Sequence, residues 1–287
     1  MSAPTMLYQI LSITDRTLPS FVDINLSRDT RLFIDPVNIL KNSDPLSLEA
    51  KVIIQNYFSI LIGHVSRWEE QKALYILSGL TESNTISSFT RLGYSKSKSW
   101  KAIWPDKAKL LYEAIRVSWA TDLRWIEELT LMIIWIDKDN ISDLITNLIG
   151  HLLADYSLKE CLSYGWKTKV KRWILMWSPS KMDWIKRDVE VPYLENEYLV
   201  FMPKNIVAKT FLLSTDRLIT HVLVPHEQDR LFRAWSALCR LLKDWTQWKP
   251  LVKDVRNLIE CTKSWVRAFL RDNPELLEKY KESLILR

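Results

Sequence analysis

Residues 17–37 read TLPSFVDINLSRDTRLFIDPV, and this stretch separates an all-helical chain from a mixed one. From Val22 to Leu26 apolar and polar side chains alternate, the period of a half-buried strand. The polar turn Ser27-Arg28-Asp29-Thr30 leads into Arg31-Leu32-Phe33-Ile34, and Pro36 stops that second strand. A second hairpin is predicted at 189–202, with strands Val189-Glu190-Val191 and Tyr198 to Phe201 around Glu195-Asn196. An isolated hairpin is marginal in water, so the two are expected to pair into one small sheet.

Working outward, the remaining periodicity is helical. Helices are predicted from Asp44 to Leu61, Trp68 to Leu77, Pro105 to Trp119, Asp122 to Trp135 and Ser142 to Leu162. After Asn205 three more follow: Asp229 to Trp245, Val252 to Phe269 and Pro274 to Leu284. Thr81 to Ser99 is rich in Ser and Thr and is expected to form a long loop. The fold class is α+β, predominantly α-helical, with a small antiparallel sheet from two β-hairpins covered by helices. A single integrated domain over 1–287 is expected, with 206–287 as a helical C-terminal lobe.

Composition excludes more chemistry than it selects. Only 5 of 287 residues are glycine, and they stand far apart at 63, 79, 93, 150 and 165. The dinucleotide fingerprint, the Walker phosphate loop and the G-x-S-x-G elbow all need clustered glycines. Three cysteines without C-x-x-C leave no cysteine zinc site, and four histidines include no H-E-x-x-H. No apolar run approaches a membrane span, so no membrane partner is expected. Free cysteines and the absence of a secretory pattern at the N-terminus point to the cytoplasm.

The net charge of +6 is mild, but its distribution is not even. Between Lys159 and Arg187 lie eight basic residues, against only Glu160 and Asp183. Trp166, Trp173, Trp177 and Trp184 interleave with them. Cations neutralise phosphates and indoles offer stacking faces, the combination that single-stranded nucleic acid favours. Lys167, Lys169, Lys171, Arg172, Trp173, Lys181, Lys186 and Arg187 are therefore the candidate nucleic-acid contacts. The ordinary alternative is a solvated face whose indoles pack inward.

The densest polar cluster is Asp137, Asp139, Ser142, Asp143 and Asn147. Ser142 is read as a helix N-cap, and an aspartate near that terminus suits the helix dipole. Beyond capping, Asp143, Asn147, His151 and Asp155 recur every four residues along the predicted helix. Such a stripe winds by roughly 40° per member, so all four cannot meet one ion. Asp137, Asp139, Asp143 and Asn147 are the candidate catalytic residues. Asp139 and Asp143 are the candidate ligands for Mg²⁺, a hard cation that takes oxygen donors, with Glu127 or Glu128 as a further carboxylate. A solvent face or a buried polar network are the alternatives. Asp35-Pro36, Glu70-Gln71-Lys72 and the pair His221 and His226 with Glu227 are weaker candidates for acid–base or nuclease chemistry.

Several stretches also resemble one group of uncharacterised bacterial proteins encoded near anti-phage defence and mobile-element genes. They are Phe21 to Leu26 with Leu32-Phe33-Ile34-Asp35-Pro36, Leu92-Gly93-Tyr94-Ser95, Ile136 to Ile149, Tyr198 to Lys204 and Asn273 to Tyr280. The chain departs from that group at Trp135 to Lys138, where the group tends to carry glycine. The resemblance implies a role in defence and no particular reaction. Two readings stay open. In one, the chain is a cytoplasmic bacterial anti-phage defence protein that engages nucleic acid, extending to a metal-dependent nuclease. In the other it is a non-enzymatic helical adaptor that binds a partner protein of the same defence system. They differ on whether the chain is an enzyme at all.

Overall fold

The computed structural model describes residues 6–15, 19–79, 86–93, 105–117, 126–133, 135–194, 196–234, 236, 238–241 and 248–285. A single-turn helix α1 (Leu7–Ile10) precedes strand β1 (Phe33–Ile34), which runs into α2 (Pro36–Lys41). Then come α3 (Pro45–Ser66), α4 (Glu70–Ser78), a 3-10 turn at Ile86–Phe89 and α5 (Pro105–Val117). The short α6 (Leu129–Met132) leads to α7 (Lys138–Leu148) and α8 (Gly150–Ser163). Strands β2 (Thr168–Ser178), β3 (Asp183–Leu194) and β4 (Glu197–Tyr198) form one antiparallel sheet, and β5 (Val207–Ala208) pairs with β1. Beyond them lie α9 (Thr215–Leu218), a π-helical turn at Ile219–Leu223 and α10 (Val224–Arg233). The hairpin β6 (Cys239–Leu241) and β7 (Trp248–Pro250), α11 (Val252–Leu258), α12 (Lys263–Asp272) and α13 (Pro274–Ile285) complete the order. The fold is α+β and predominantly helical, with small antiparallel sheets. No helix among the described residues is long and apolar enough to cross a membrane.

Contacts divide the chain into two compact units. The first takes residues 1–126 with 136–211, the second 127–135 with 212–287. Within the first unit, α3 starts where its sequence dictates. Pro45 suits the first helical position, and the Asp44 carboxylate accepts the Ser47 N–H. Ala50, Ile53, Ile54, Tyr57, Phe58 and Leu61, at helical spacing, are all buried.

The expected hairpin at 21–34 is a correction. Among the described residues its two halves do not pair with each other. Phe21 bridges Pro203, Asn25 bridges Met6, and Phe33–Ile34 pairs with Val207–Ala208. Val22 N–H donates to the Met202 carbonyl and Asp35 N–H to the Ile206 carbonyl, both at 2.9 Å. The alternation identified an extended segment, but its partners come from 202–208 and from Met6 and Leu7 rather than from across a local turn. The turn Ser27–Thr30 has its own use, because Asn25 Oδ1 accepts from the Ser27 and Arg28 N–H groups. The second hairpin is real at its turn, with Tyr193 opposite Tyr198 and Leu194 opposite Glu197. However, Val189 and Val191 pair with Lys171 and Lys169 of β2, a strand that no alternation announced.

Helix boundaries also shift. The predicted helix from Ser142 to Leu162 starts earlier, at Lys138, and breaks in two at Ile149 (φ −97°, ψ 16°). Gly150 follows the break because a Cβ there would come within 2.7 Å of Ile86 Cγ2. The predicted Asp229–Trp245 helix starts at Val224 and ends at Arg233, where the chain turns into β6. The predicted Val252–Phe269 helix divides before Thr262, whose hydroxyl accepts the Trp265 N–H and starts a new helix. Much of the Thr81–Ser99 loop, the start of the Asp122 helix and residue 245 lie outside the described residues. In the second unit, Lys281 of α13 and Glu128 form a buried ion pair at 2.5 Å. Glu128, the further carboxylate that the sequence offers, is thus engaged by a lysine of its own unit.

Candidate nucleic-acid interface and acidic cluster

The basic segment is the β2–β3 ribbon together with the end of α8 that leads into it. Its register runs from Thr168 opposite Pro192 to Ser178 opposite Asp183, broken between Lys171 and Ile174 by a bulge. Towards the turn, the ribbon is docked. Trp177 is only 1% exposed, donates from Nε1 to Asn56 Oδ1 at 3.0 Å and meets the Tyr57 ring edge-on. Trp184 donates from Nε1 to the Ile76 carbonyl at 2.7 Å. Its indole lies so close to Gly79 that a Cβ there would fall 2.1 Å from Cε2, which only glycine avoids. Trp166 stacks on Tyr164 with ring centroids 4.3 Å apart.

Trp173 differs from all three. It is 63% exposed and sits in the bulge with φ 65°, the left-handed region that a bulky residue avoids. Such a conformation costs on the order of 1–3 kcal/mol and persists only where neighbours enforce it. Asp188 on the facing strand does so, accepting the Trp173 N–H at 3.1 Å. A bulge bends the strand and re-aims its side chain, here outward. Arg172 precedes the indole, while Arg187 and Lys186 stand opposite Ile174 and Leu175; all three cations are exposed. Lys167 before β2 and Lys181 in the turn are exposed as well.

Lys169 and Lys171 have a different environment. Lys169 Nζ lies 4.4 Å from the Tyr193 ring centroid, and Lys171 Nζ lies 5.2 Å from that of Tyr198. These cation–π contacts tie β2 to β3 and β4, giving both lysines a structural task. Over 168–194 six basic residues face three acidic ones, because Asp188 and Glu190 lie just beyond the stretch that the sequence marks out. Glu190 is bonded to the Thr168 hydroxyl and Asp188 to the bulge, so both carboxylates are engaged inside the ribbon.

The acidic cluster is built by α7 and two loops. Asp137, not Ser142, is the N-cap: its carboxylate accepts the Asp139 and Asn140 N–H groups, and Asn140 returns a bond to Asp137 N–H. Ser142 is buried one turn further on and accepts the Ile34 N–H at 2.9 Å, which docks α7 on β1. Asn147 is buried and accepts the Ser87 N–H at 3.2 Å, anchoring the 3-10 turn. Capping and anchoring therefore account for Asp137 and Asn147. His151 and Asp155 stand on α8 beyond the break at Ile149, so the stripe does not continue along one helix.

Asp139 and Asp143 remain, and the structure adds Asp29. The Gly93 N–H donates to the Thr30 carbonyl, which carries the 91–93 loop alongside residues 29–30. At Gly93 (φ 128°) a Cβ would lie 2.9 Å from Asp139 Oδ1 and 3.8 Å from Asp29 Oδ2. Burial, together with the charges of Asp139, Asp29 and Asp137, pushes the Asp143 carboxyl up to about 8. Burial, with Asp137 and Asp29, pushes Asp139 up to about 6, partly offset by Lys138. The Lys138 ammonium is drawn aside, donating to the Lys209 carbonyl at 2.9 Å and lying over the Phe33 ring. Asp29, Asp139 and Asp143 thus bring three carboxylates into electrostatic contact. Among the described residues, no group of three His, Cys, Asp or Glu is arranged to hold a metal ion.

The weaker candidates have structural environments. Asp35 is fully buried and caps α2 through the Val37 N–H at 3.0 Å. Glu70 and Lys72 lie on α4, Lys72 paired with Glu69. In the second unit Glu227 is paired with Arg230 at 2.8 Å, and the ring of its neighbour His226 lies edge-on to Phe269. Sequence reasoning missed Asp29, because nothing in a turn of Ser, Arg, Asp and Thr indicates which helix it will face.

The sequence profile of a domain of unknown function, DUF8370, matches residues 14–214. The chain belongs to this family. No curated protein and no solved structure matches it. The DUF8370 segment takes in most of the first unit, so the ribbon and the acidic cluster both fall inside it, and α9 to α13 follow it.

Proposed function

We propose that this DUF8370 protein binds nucleic acid through the β2–β3 ribbon. The observation that carries the reading is Trp173: an exposed indole held out on a strained bulge, on a ribbon that also exposes Arg172, Lys186 and Arg187. Guanidinium and ammonium groups neutralise phosphates and release counterions, which supplies most of the affinity of sequence-independent binding. Reversing Arg172, Lys186 and Arg187 to glutamate should abolish binding of a labelled oligonucleotide in fluorescence anisotropy while leaving the melting temperature within about 2 °C. Retained affinity in the triple variant refutes the reading. Lys169 and Lys171 are unsuitable for this test, because reversing them removes the contacts to Tyr193 and Tyr198.

A second reading concerns the acidic cluster. The crowding of Asp139 and Asp143 with Asp29 is a repulsion that a divalent cation would relieve, and metal-assisted phosphodiester hydrolysis is the chemistry such a cation would bring. Mg²⁺- or Mn²⁺-dependent cleavage that Asp143→Asn abolishes supports it, and cleavage unchanged by Asp143→Asn ends it. The motif resemblance supports a setting in cytoplasmic anti-phage defence, tested by plaque counts with wild-type chain and with the triple charge reversal. Protection retained without oligonucleotide binding favours the adaptor that engages a partner protein.

A further inference from the structure

We infer that the nucleic acid held by the ribbon is single-stranded, with a base stacked on the Trp173 indole; this rests on the nucleic-acid reading above. Neither burial nor an unstrained backbone accounts for a tryptophan at position 173. Its backbone occupies φ 65°, where glycine or asparagine would sit with less strain, and its ring is 63% exposed. Trp166, Trp177 and Trp184 on the same segment all find ring partners or buried acceptors. What Trp173 supplies is a ring standing out from the ribbon.

A duplex buries its base faces in its own stack, and a side chain reaches them only by wedging base pairs apart, at a cost of a few kcal/mol per step. A single strand presents those faces at no such cost, and every base has one. Arg172 adjoins the indole in sequence, and Arg187 and Lys186 follow on the facing strand just past Asp188. An exposed indole on a ribbon that also exposes three cations matches a flexible polyanion better than an apolar protein face.

The glycine variant makes a clean test. Trp173→Gly removes the ring and relieves the left-handed backbone, which offsets the entropy that glycine gains in the unfolded chain, so its melting temperature should move little in either direction. The full-length protein is titrated against fluorescein-labelled dT and rU strands of about 20 nucleotides and a mixed-sequence duplex of the same length. Wild type is expected to prefer a single strand over the duplex. Trp173→Gly should weaken single-strand binding roughly five- to a hundredfold, the range expected for removing one base–aromatic stack, and leave duplex affinity unchanged. Trp173→Phe, which keeps a ring, should recover most of the loss. Equal wild-type affinity for strand and duplex, or a Trp173→Gly variant that binds single strands as well as wild type, overturns the stacking role while ribbon binding stands. Failure of wild type to bind any of the probes overturns both.

Discussion

Trp173 and Trp177 lie four residues apart on β2 and meet opposite environments. Trp177 is enclosed by Tyr57 and Trp184 and bonded to Asn56; Trp173 is lifted out by a bulge pinned to Asp188. Both belong to a stretch whose composition looks uniform, basic residues interleaved with indoles. The difference comes from backbone geometry. The bulge breaks the strand's period of two, so the docked end and the open end of one ribbon serve different purposes.

The largest effect should come from the docked end. Trp177→Ala should cost about 3–5 kcal/mol, since it opens a cavity and leaves Asn56 without its indole donor, and denaturant melts will read it directly. A loss below about 1 kcal/mol would mean that the docked end is not core. Gly79→Ala comes next, because its methyl would collide with the Trp184 indole at 2.1 Å. Overpacking of this kind typically costs about 1–3 kcal/mol, and Trp184→Leu in the same chain should relieve part of it.

The acidic cluster sharpens the contrast, as a place where charges crowd rather than spread. Asp143 titrates at its ordinary 3.8 when unfolded and near 8 when folded, so folding takes up a proton between those values. Stability from this group is therefore complete below about pH 4 and is lost as pH rises through 8. Asp139 acts in the same direction over a narrower window, up to about 6. In chelator, Asp143→Asn should raise the melting temperature at pH 8 by several degrees and leave it unchanged at pH 4. An unchanged melting temperature at pH 8 would show that the carboxylates are relaxed by solvent. The smallest expected effect is at the open end: Trp173→Gly should move stability by no more than about 0.5 kcal/mol, in either direction. A large loss there would make Trp173 a structural residue like Trp177 and dissolve the comparison.

What the sequence makes legible follows from local rules. Pro45 with Asp44 marks the start of α3, the run from Ala50 to Leu61 marks its buried face, and the Val189–Tyr198 region marks a hairpin turn. Non-local pairings are not legible. Nothing within 21–34 tells that Phe21 will meet Pro203, and nothing in Lys169-Val170-Lys171 shows an amphipathic strand, because its lysines find their partners in Tyr193 and Tyr198. The cluster around Asp143 is legible on its own helix but not across space, where Asp29 arrives from a distant turn. The Trp-rich basic segment is visible as composition. Which of its four indoles faces outward depends on one positive φ, and single-residue backbone strain leaves no mark on a sequence of ordinary residues.

The most direct measurement is the salt dependence of single-strand binding by wild type and by Lys186→Ala/Arg187→Ala. If the exposed cations of the ribbon neutralise phosphates, log K falls linearly with log salt. The double variant should then be flatter by roughly 0.7 for each phosphate left without its cation, about 1.4 in all. An identical slope in wild type and variant, or an affinity indifferent to salt, would contradict the ribbon as the site of binding.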